Sequence, residues 1–251
     1  MKCEILKDIF FIGSGRFHYT NSTNCNIYLV DGGSEFGLID TGSGIKMDSV
    51  LESIRNHGFD PSKIGVIINT HAHWDHARGD ARIKAMSNCK IAVHKLGVSV
   101  LEKGPWSNKL KFQPVTVDIK LDDSDAISIG KHRFTVVWTP GHTSDSICLM
   151  KEHEGRNLLF SGDTVQAFGI PGVINSRCDF PAYEKSMQNL SSMNVDVLLP
   201  GHGVFLLSDA HEQIRFLSDK LAGSWQDFIS FPQPFAGGSW ELKQHPEWLN
   251  E

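Results

Sequence analysis

The chain has 251 residues, of which 40% are hydrophobic and 21% charged, so it can bury a full core and is not a disordered polyelectrolyte. Its 24 lysines and arginines and 29 aspartates and glutamates give a formal net charge of -5, which excludes a general attraction to nucleic acid or anionic lipid. Five cysteines without CxxC spacing, no leader-like start and no long apolar run predict a cytoplasmic protein with reduced thiols and no membrane partner.

In the first half of the chain, the predicted strands are separated by glycine and aspartate turns. They cover 4–12, 26–30, 36–39, 66–68 and 90–93. Two amphipathic stretches, 45–57 and about 76–87, predict helices, and Gly58 marks the end of the first. The strand Val66-Ile67-Ile68 is a short apolar run of the buried type, and it leads directly to His71.

The second half follows the same plan. Its predicted strands cover 127–129, 133–138, 146–150, 158–160 and 195–199, and its predicted helices cover 181–193 and 208–229, the latter with Ser208 as N-cap. Two β-rich halves, each carrying helices, predict an α/β fold with two facing sheets. Because no linker interrupts the chain, we expect a single domain over 1–251, in which 231–251 is a C-terminal extension that packs on the body or on a partner subunit.

The most unusual feature is a group of four potential metal ligands within six residues, His71-Ala72-His73-Trp74-Asp75-His76. His71 and His73 are two positions apart, so an extended segment turns both imidazoles toward one side. A helix that begins near Asp75 would direct this residue and His76 toward a neighbouring position. Imidazole and carboxylate ligands suit zinc, and they also suit iron or manganese.

Three further potential ligands follow later strands, each directly after a glycine. They are His142 after 136–141, Asp163 after 158–162 and His202 after 197–201. An apolar strand followed by a glycine and one polar side chain is typical of a scaffold that presents residues at the edge of a sheet. Each residue taken singly is equally compatible with a turn, but three repeats of this pattern after the histidine motif are hard to assign to turns alone.

On these motifs the chain resembles the metallo-β-lactamase superfamily, whose fold is a four-layer αββα sandwich, and the resemblance runs from Asp40-Thr41-Gly42 to Gly201-His202-Gly203. It implies two divalent metal ions per chain, with zinc expected first and iron or manganese as alternatives. The residues that match the family's ligands are His71, His73 and His142 for one ion, Asp75, His76 and His202 for the other, and Asp163 as the bridge between them. Asp40 resembles the family's buried aspartate beneath the site.

The resemblance implies cleavage of an ester, lactone or thioester by attack of a metal-bound hydroxide, with Asp75 as the catalytic residue that accepts the proton and passes it to the leaving group. Asp163 stands where the superfamily's β-lactamases carry Cys or Ser, which argues against that activity. Gln166 stands where acyl-homoserine lactonases carry Tyr, which weakens that assignment. Glyoxalase II-type thioesterases share the aspartate but have a longer helical tail.

Three alternatives stay open on the same sequence. The first is a non-haem iron oxidoreductase similar to the family's sulfur dioxygenases, because ligand type alone does not distinguish iron from zinc. The second is a phosphodiesterase, which the lack of a basic cluster disfavours. The third is a protein in which the metal serves folding without turnover.

The walls of the substrate pocket are expected from two segments, 103–117 and 165–180. The residues predicted to line the pocket are Trp74, Trp106, Phe112, Gln166, Phe168 and Ile170. The second segment follows Asp163 directly, and its apolar residues and glycine and proline turns suit a lid over a small, partly apolar substrate. Ordinary loop packing or a homodimer contact is an equal expectation for this segment. Cys25, Cys148 and Cys178 are predicted to be small buried apolar groups rather than nucleophiles.

Overall fold

The computed structural model describes residues 2–104, 113–174 and 178–223, and within these ranges the strands form two sheets. The first sheet has seven strands in chain order, β1 (Glu4–Leu6), β2 (Ile9–Gly13), β3 (Ile27–Asp31), β4 (Phe36–Ile39), β5 (Ile64–Ile68), β6 (Lys90–His94) and β7 (Ile119–Leu121). Strands β1 to β4 pair antiparallel, and β4 to β7 pair parallel. Because β4, β5 and β6 run in one direction, their carboxyl ends meet at one edge of the sheet.

The second sheet has five strands within the described ranges, β8 (Ala126–Ile129), β9 (His132–Trp138), β10 (Ile147–His153), β11 (Arg156–Gly162) and β12 (Val197–Pro200). Their order is β12-β11-β10-β9-β8, and β11 pairs with β12 in parallel while the other neighbours are antiparallel. The strands β9, β11 and β12 therefore run in the same direction, so their carboxyl ends lie at one edge of the sheet. The predicted ligand after each of these strands begins from that edge.

The helices are α1 (Met47–Asn56), α2 (Trp74–Ala77), α3 (Asp80–Ser87), α4 (Val98–Lys103), α5 (Phe180–Ser191) and α6 (Ala210–Gly223). Buried side chains of the described residues form three clusters: α1 and α3 against the first sheet, one sheet against the other, and the second sheet against α5 and α6. In β5, Ile67 faces the helices while Val66 and Ile68 face the second sheet, so alternate side chains of this strand are buried on both faces. The four layers confirm the expected αββα sandwich.

Several predicted elements need correction. The predicted strand 4–12 is two strands, because the chain turns at Asp8, which has a φ of 65°. The predicted helix 76–87 is α2 and α3, because the His76 carbonyl accepts the N–H groups of Thr41 and Gly42 at 2.7 and 3.1 Å, so it does not extend the helix. The last helix begins at Ala210 rather than Ser208.

Some predictions cannot be compared with described residues, and some elements were not predicted. The positions 224–229 of the last predicted helix and the extension 231–251 lie outside the described residues. The short strand β7 and the helix α4 were not predicted from the sequence. Among the described residues, no helix combines the length and the apolar composition that crossing a lipid bilayer requires.

Candidate metal centre

The polar residues predicted as ligands all follow strand ends at one edge of the sandwich. The segment 71–76 follows β5 of the first sheet, and the other three residues follow β9, β11 and β12 of the second sheet. The structure brings together all seven of them, namely His71, His73, Asp75, His76, His142, Asp163 and His202. Each sheet contributes part of the group, so the site lies at the seam between the two halves of the fold.

Three imidazoles form the first cluster. Nδ1 of His73 lies 3.0 Å from Nε2 of His71 and 3.0 Å from Nε2 of His142. The Nδ1–H of His142 donates to the carbonyl of Val173 at 3.1 Å, which leaves its Nε2 lone pair facing the cluster. Burial lowers the pKa of His71 well below its usual value, and burial and the neighbouring His73 lower the pKa of His142 to about 4. Neutral imidazoles with converging lone pairs are the donors that bind a divalent cation.

The second cluster contains one carboxylate and two imidazoles. Oδ2 of Asp75 lies 3.2 Å from Nε2 of His202, and the two histidine Nε2 atoms are 3.3 Å apart. Since α2 begins at Trp74, Asp75 and His76 stand in its first turn, as expected from a helix start near this position. The Nδ1–H of His76 donates to Oδ2 of Asp40 at 2.8 Å, so Nε2 is the ring atom that faces the cluster.

Asp163 lies between the two clusters. Its Oδ1 is 3.3 Å from Nε2 of His76, and its Oδ2 is 3.6 Å from Nε2 of His142. Burial alone would raise the pKa of Asp163, but His202 and His76 hold it well below its usual value, so the side chain is a carboxylate. Its Oδ1 is buried and accepts no hydrogen bond from the described part of the chain. A buried carboxylate with an unsatisfied oxygen between two groups of imidazoles fits a pair of divalent cations.

Asp40 holds this arrangement from beneath. It is 1% exposed, and its Oδ1 accepts the N–H of Thr70 at 2.8 Å while its Oδ2 accepts the Thr70 hydroxyl and the His76 ring. Its φ of 60° is a conformation that aspartate adopts more readily than most residues do. One side chain therefore fixes both the strand exit before His71 and the ring of His76, which is the position that the family resemblance implies for it.

Of the six residues predicted to line the substrate pocket, four lie in the described part of the chain. Trp74 is partly buried and packs on the cluster between the helices and the first sheet. Gln166 and Ile170 are also partly buried, and they are joined by a bond from the Gln166 N–H to the Ile170 carbonyl at 2.8 Å. Phe168 is 64% exposed and has a φ of 65°. The other two predicted pocket residues, Trp106 and Phe112, lie outside the described residues.

The segment that follows Asp163 forms a short hairpin whose two ends are joined by a main-chain hydrogen bond. The N–H of Gly172 donates to the carbonyl of Asp163 at 3.0 Å, and a Cβ on Gly172 would lie 2.1 Å from that oxygen, so only glycine fits there. Phe168 stands at the tip of this hairpin and the carboxylate of Asp163 at its base. The arrangement places an exposed aromatic side chain on the same short loop as the central carboxylate.

Sequence reasoning missed two groups that shape this edge. Asn26 donates through Nδ2 to the carbonyls of Pro200 and Gly203, each at 2.9 Å, and so holds the turn that carries His202. Asp145 accepts the N–H of Ala72 at 2.8 Å. Both contacts join residues that are far apart in sequence, and no local motif marks either of them.

Two buried thiols, those of Cys25 and Cys148, do not suit a nucleophile. Burial raises the pKa of Cys25 to about 12 and that of Cys148 to about 11, so both are protonated at neutral pH, as their predicted role as buried apolar groups implies. Cys25 lies within ligand distance of Asp40 and His76, but those two side chains already bond to each other. Cys178 is partly exposed, so the prediction that it is buried is wrong.

Comparison with known proteins gives a consistent result for the family and the fold. The model of the metallo-beta-lactamase superfamily matches residues 21–202. A metallo-beta-lactamase from Cronobacter sakazakii with substitutions in its HARLDQ motif superposes with a TM-score of 0.73 and 22% sequence identity, over 91% of this chain and 96% of that one. At this level of identity, the likeness concerns the fold alone.

Two relatives by sequence are named for hydrolysis. A probable metallo-hydrolase from Methanocaldococcus jannaschii is 30% identical over 192 residues, which span 71% of this chain and 87% of the relative. An acyl-coenzyme A thioesterase from Homo sapiens is 28% identical over 177 residues, which span 59% of this chain and 60% of the relative. The match thus covers less than two thirds of the human protein.

Proposed function

Because the chain belongs to the metallo-beta-lactamase superfamily, we propose that it is a hydrolase that uses two divalent metal ions to cleave the acyl bond of a small ester, lactone or thioester. The relatives named as a probable metallo-hydrolase and an acyl-coenzyme A thioesterase support the class, and the second favours a thioester. The observation that carries the proposal is the position of Asp163, whose two oxygens face different clusters of imidazoles.

The proposed ligands follow from this position. His71, His73 and His142 would hold one ion, Asp75, His76 and His202 the other, and Asp163 both. The chemistry that two such cations supply is to lower the pKa of water toward neutrality and to polarise a carbonyl oxygen. Zinc is the ion we expect first, because three imidazoles and carboxylates are its usual ligands in catalytic sites.

Asp75 is the residue that we propose to transfer the proton. Burial acts to raise its pKa, but the neighbouring His202 and His76 lower it, so the side chain is an ionised carboxylate at neutral pH. Its side chain is 16% exposed, whereas that of Asp163 is 5% exposed. Asp75 is therefore the better placed of the two to exchange a proton with a substrate and with solvent.

The proposal is tested first by metal content and by a substrate panel. Protein purified without added metal is expected to contain two zinc ions per chain by elemental analysis. It is expected to hydrolyse one acyl group presented as a coenzyme A thioester, an oxygen ester or a lactone, with release of thiol or acid as the readout. One iron per chain together with oxygen uptake would favour the oxidoreductase alternative instead. A metal-loaded protein that cleaves nothing in the panel would contradict the proposal.

The role of Asp75 is tested by Asp75→Asn. An amide in this position accepts no proton, so kcat on the best substrate of the panel is expected to fall by about 10²- to 10⁴-fold. The metal content and the circular dichroism spectrum are measured in parallel, because Asp75 is also a proposed ligand. Asp48→Asn is the matched control, since Asp48 is exposed and pairs with Arg82. Unchanged kcat in Asp75→Asn would exclude Asp75 as the proton acceptor.

A further inference from the structure

A buried carboxylate that belongs to neither cluster of proposed ligands lies beside the first one. Asp145 comes three residues after His142 and is 6% exposed. Its Oδ2 accepts the backbone N–H of Ala72 at 2.8 Å, and Ala72 stands between His71 and His73. One side chain therefore joins the loop that carries the third histidine to the segment that carries the other two.

The two segments also meet at a second point. The N–H of Ile147 donates to the carbonyl of Thr70 at 2.9 Å, and this bond uses main-chain atoms alone. A substitution at Asp145 therefore removes one tie between the segments and leaves the other in place. The expected consequence is a change in the spacing of the histidines rather than the loss of the fold.

The fold makes room for this carboxylate. A Cβ on Gly97 would lie 2.4 Å from Oδ2 of Asp145, so the turn before α4 contains a glycine where the carboxylate approaches. Burying a carboxylate is costly unless positive charge and hydrogen bonds compensate for it. The imidazole of His94 does not supply that charge, because burial lowers its pKa and keeps it neutral. A divalent cation in the adjacent histidine cluster would supply it.

We propose that Asp145 is a positioning residue for the first cluster: it fixes the spacing of His142 relative to His71 and His73, and its negative charge strengthens the binding of a divalent cation there. This inference rests on the proposed function, because it concerns the metal centre that the function requires. Groups that orient metal ligands typically change metal affinity by about 10- to 100-fold.

The effect is expected to be specific to one of the two ions. The ligands of the second cluster are held by other contacts: the Cys25 N–H donates to the Asp75 carbonyl at 3.2 Å, and the Asn26 N–H donates to the Gly201 carbonyl at 2.6 Å. Neither contact involves the loop of Asp145. The loss of Asp145 should therefore leave the second ion bound nearly as before.

The experiment is a titration of the chelator-treated protein with Co²⁺, followed by visible absorption and by the number of ions bound. Asp145→Ala removes the acceptor and the charge, and Asp145→Asn keeps an acceptor oxygen without the charge. We expect Asp145→Ala to weaken the binding of one Co²⁺ by about 10- to 100-fold and Asp145→Asn to weaken the same ion by a smaller factor. The other ion should keep its affinity.

The matched control is Asp196→Ala. Asp196 also accepts one backbone N–H, that of Asn157 at 2.7 Å, but at the opposite end of β11 from the site. The variant Asp196→Ala should be less stable than the wild type and should keep the Co²⁺ affinities of the wild type. The inference is overturned if folded Asp145→Ala binds both ions like the wild type, or if Asp196→Ala weakens the same ion as much.

Two further outcomes keep the inference separate from the proposed function. If Asp145→Ala does not fold, Asp145→Asn decides by the same titration, and wild-type affinity for both ions overturns the inference. A wild-type chain that binds two Co²⁺ ions and cleaves no acyl substrate contradicts the proposed function alone. A wild-type chain that binds no Co²⁺ contradicts both.

Discussion

The histidines of the proposed metal centre are oriented by the groups behind them as well as by the strands that carry them. Asp40 accepts the Nδ1–H of His76, and the Val173 carbonyl accepts that of His142. In both rings Nε2 is therefore the atom that faces Asp163. The tautomer of each ring follows from its partner, so substitution of Asp40 should alter metal binding although Asp40 is not a proposed ligand.

A buried acid close to this network predicts a pH dependence of stability. Asp80 is fully buried and accepts hydrogen bonds from Thr41 and Asn69, and burial raises its pKa to about 7. Between about pH 4 and pH 7 the folded chain keeps a proton that the unfolded chain has released, so the stability that Asp80 contributes falls as the pH rises. This loss is expected to be on the order of 2–3 kcal/mol between about pH 5 and pH 8.

The variant Asp80→Asn isolates the contribution of Asp80 to the pH dependence of stability, because an amide does not ionise between about pH 5 and pH 8. The free energy of unfolding of the wild type minus that of the variant, measured by urea at both pH values, should decrease toward the higher pH. Other titrating groups contribute to both proteins and cancel in the difference. A difference independent of pH would show that Asp80 is ionised throughout.

We expect the exposed ring of Phe168 to contact the acyl chain of the substrate and so to favour long acyl groups. Its ring is 64% exposed on the hairpin that begins at the Asp163 carboxylate. If the acyl chain covers this ring, Phe168→Ala should raise KM for an octanoyl substrate by about tenfold, since burying an aromatic side chain contributes about 1.5–3 kcal/mol. KM for the acetyl substrate with the same leaving group should not change. Equal effects on both substrates would place the ring outside the acyl site.

At the scale of elements, helix ends connect the fold to the site. The helix α5 begins after Asp179, whose Oδ1 accepts the N–H of Ala182 at 3.0 Å, and Pro181 stands in its first turn. The N–H of Asp179 donates to the carbonyl of Gly141 at 2.9 Å, next to His142. The start of this helix is therefore attached to the loop that carries a proposed ligand.

The variant Asp179→Ala removes the cap but not the main-chain attachment. It should lower the free energy of unfolding by about 0.5–2 kcal/mol, as loss of an N-cap does, and should leave kcat within about twofold. Urea unfolding and the thioester assay measure the two effects. A large loss of activity without loss of stability would mean that the Asp179 side chain positions His142 directly.

The strands and the ligands after them could be predicted because their signals are local. Apolar runs that end in a glycine and one polar residue mark β9, β11 and β12, and the spacing of His71 and His73 marks the exit of β5. The boundary between α2 and α3 could not be predicted, since it depends on Thr41 and Gly42 taking the His76 carbonyl. The contact between Asp145 and Ala72 joins positions 73 residues apart, and no local sequence pattern in either segment predicts it.

At the scale of the whole molecule, the proposed ions would link the two sheets. His71, His73 and His76 follow the first sheet, whereas His142 and Asp163 follow the second. Removal of divalent ions by a chelator should therefore lower Tm, and added zinc should restore it. When the free zinc concentration is 1,000 times the Kd of a site, binding stabilises the folded state by about 4 kcal/mol.

Differential scanning fluorimetry with chelator and with zinc measures this linkage. His142→Ala should show a smaller rise in Tm on addition of zinc than the wild type. His211→Ala is the control, because His211 lies in the first turn of α6, bonds to the Met193 carbonyl and is not a proposed ligand, so this variant should keep the full rise. An identical Tm with and without zinc in the wild type would contradict metal binding at the seam.

The division of the ligands between the sheets has a use beyond this protein's own chemistry. The connection from β7 to β8 is short, at 122–125. The proposed ligands before this connection in the chain and those after it together make up the site. If the chain were cut there, the first piece would lack His142 and Asp163, and the second would lack every residue of the HxHxDH motif. Cation uptake by the mixed pieces would then measure their complementation, so the metal centre could serve as a sensor for the docking of two separate polypeptides.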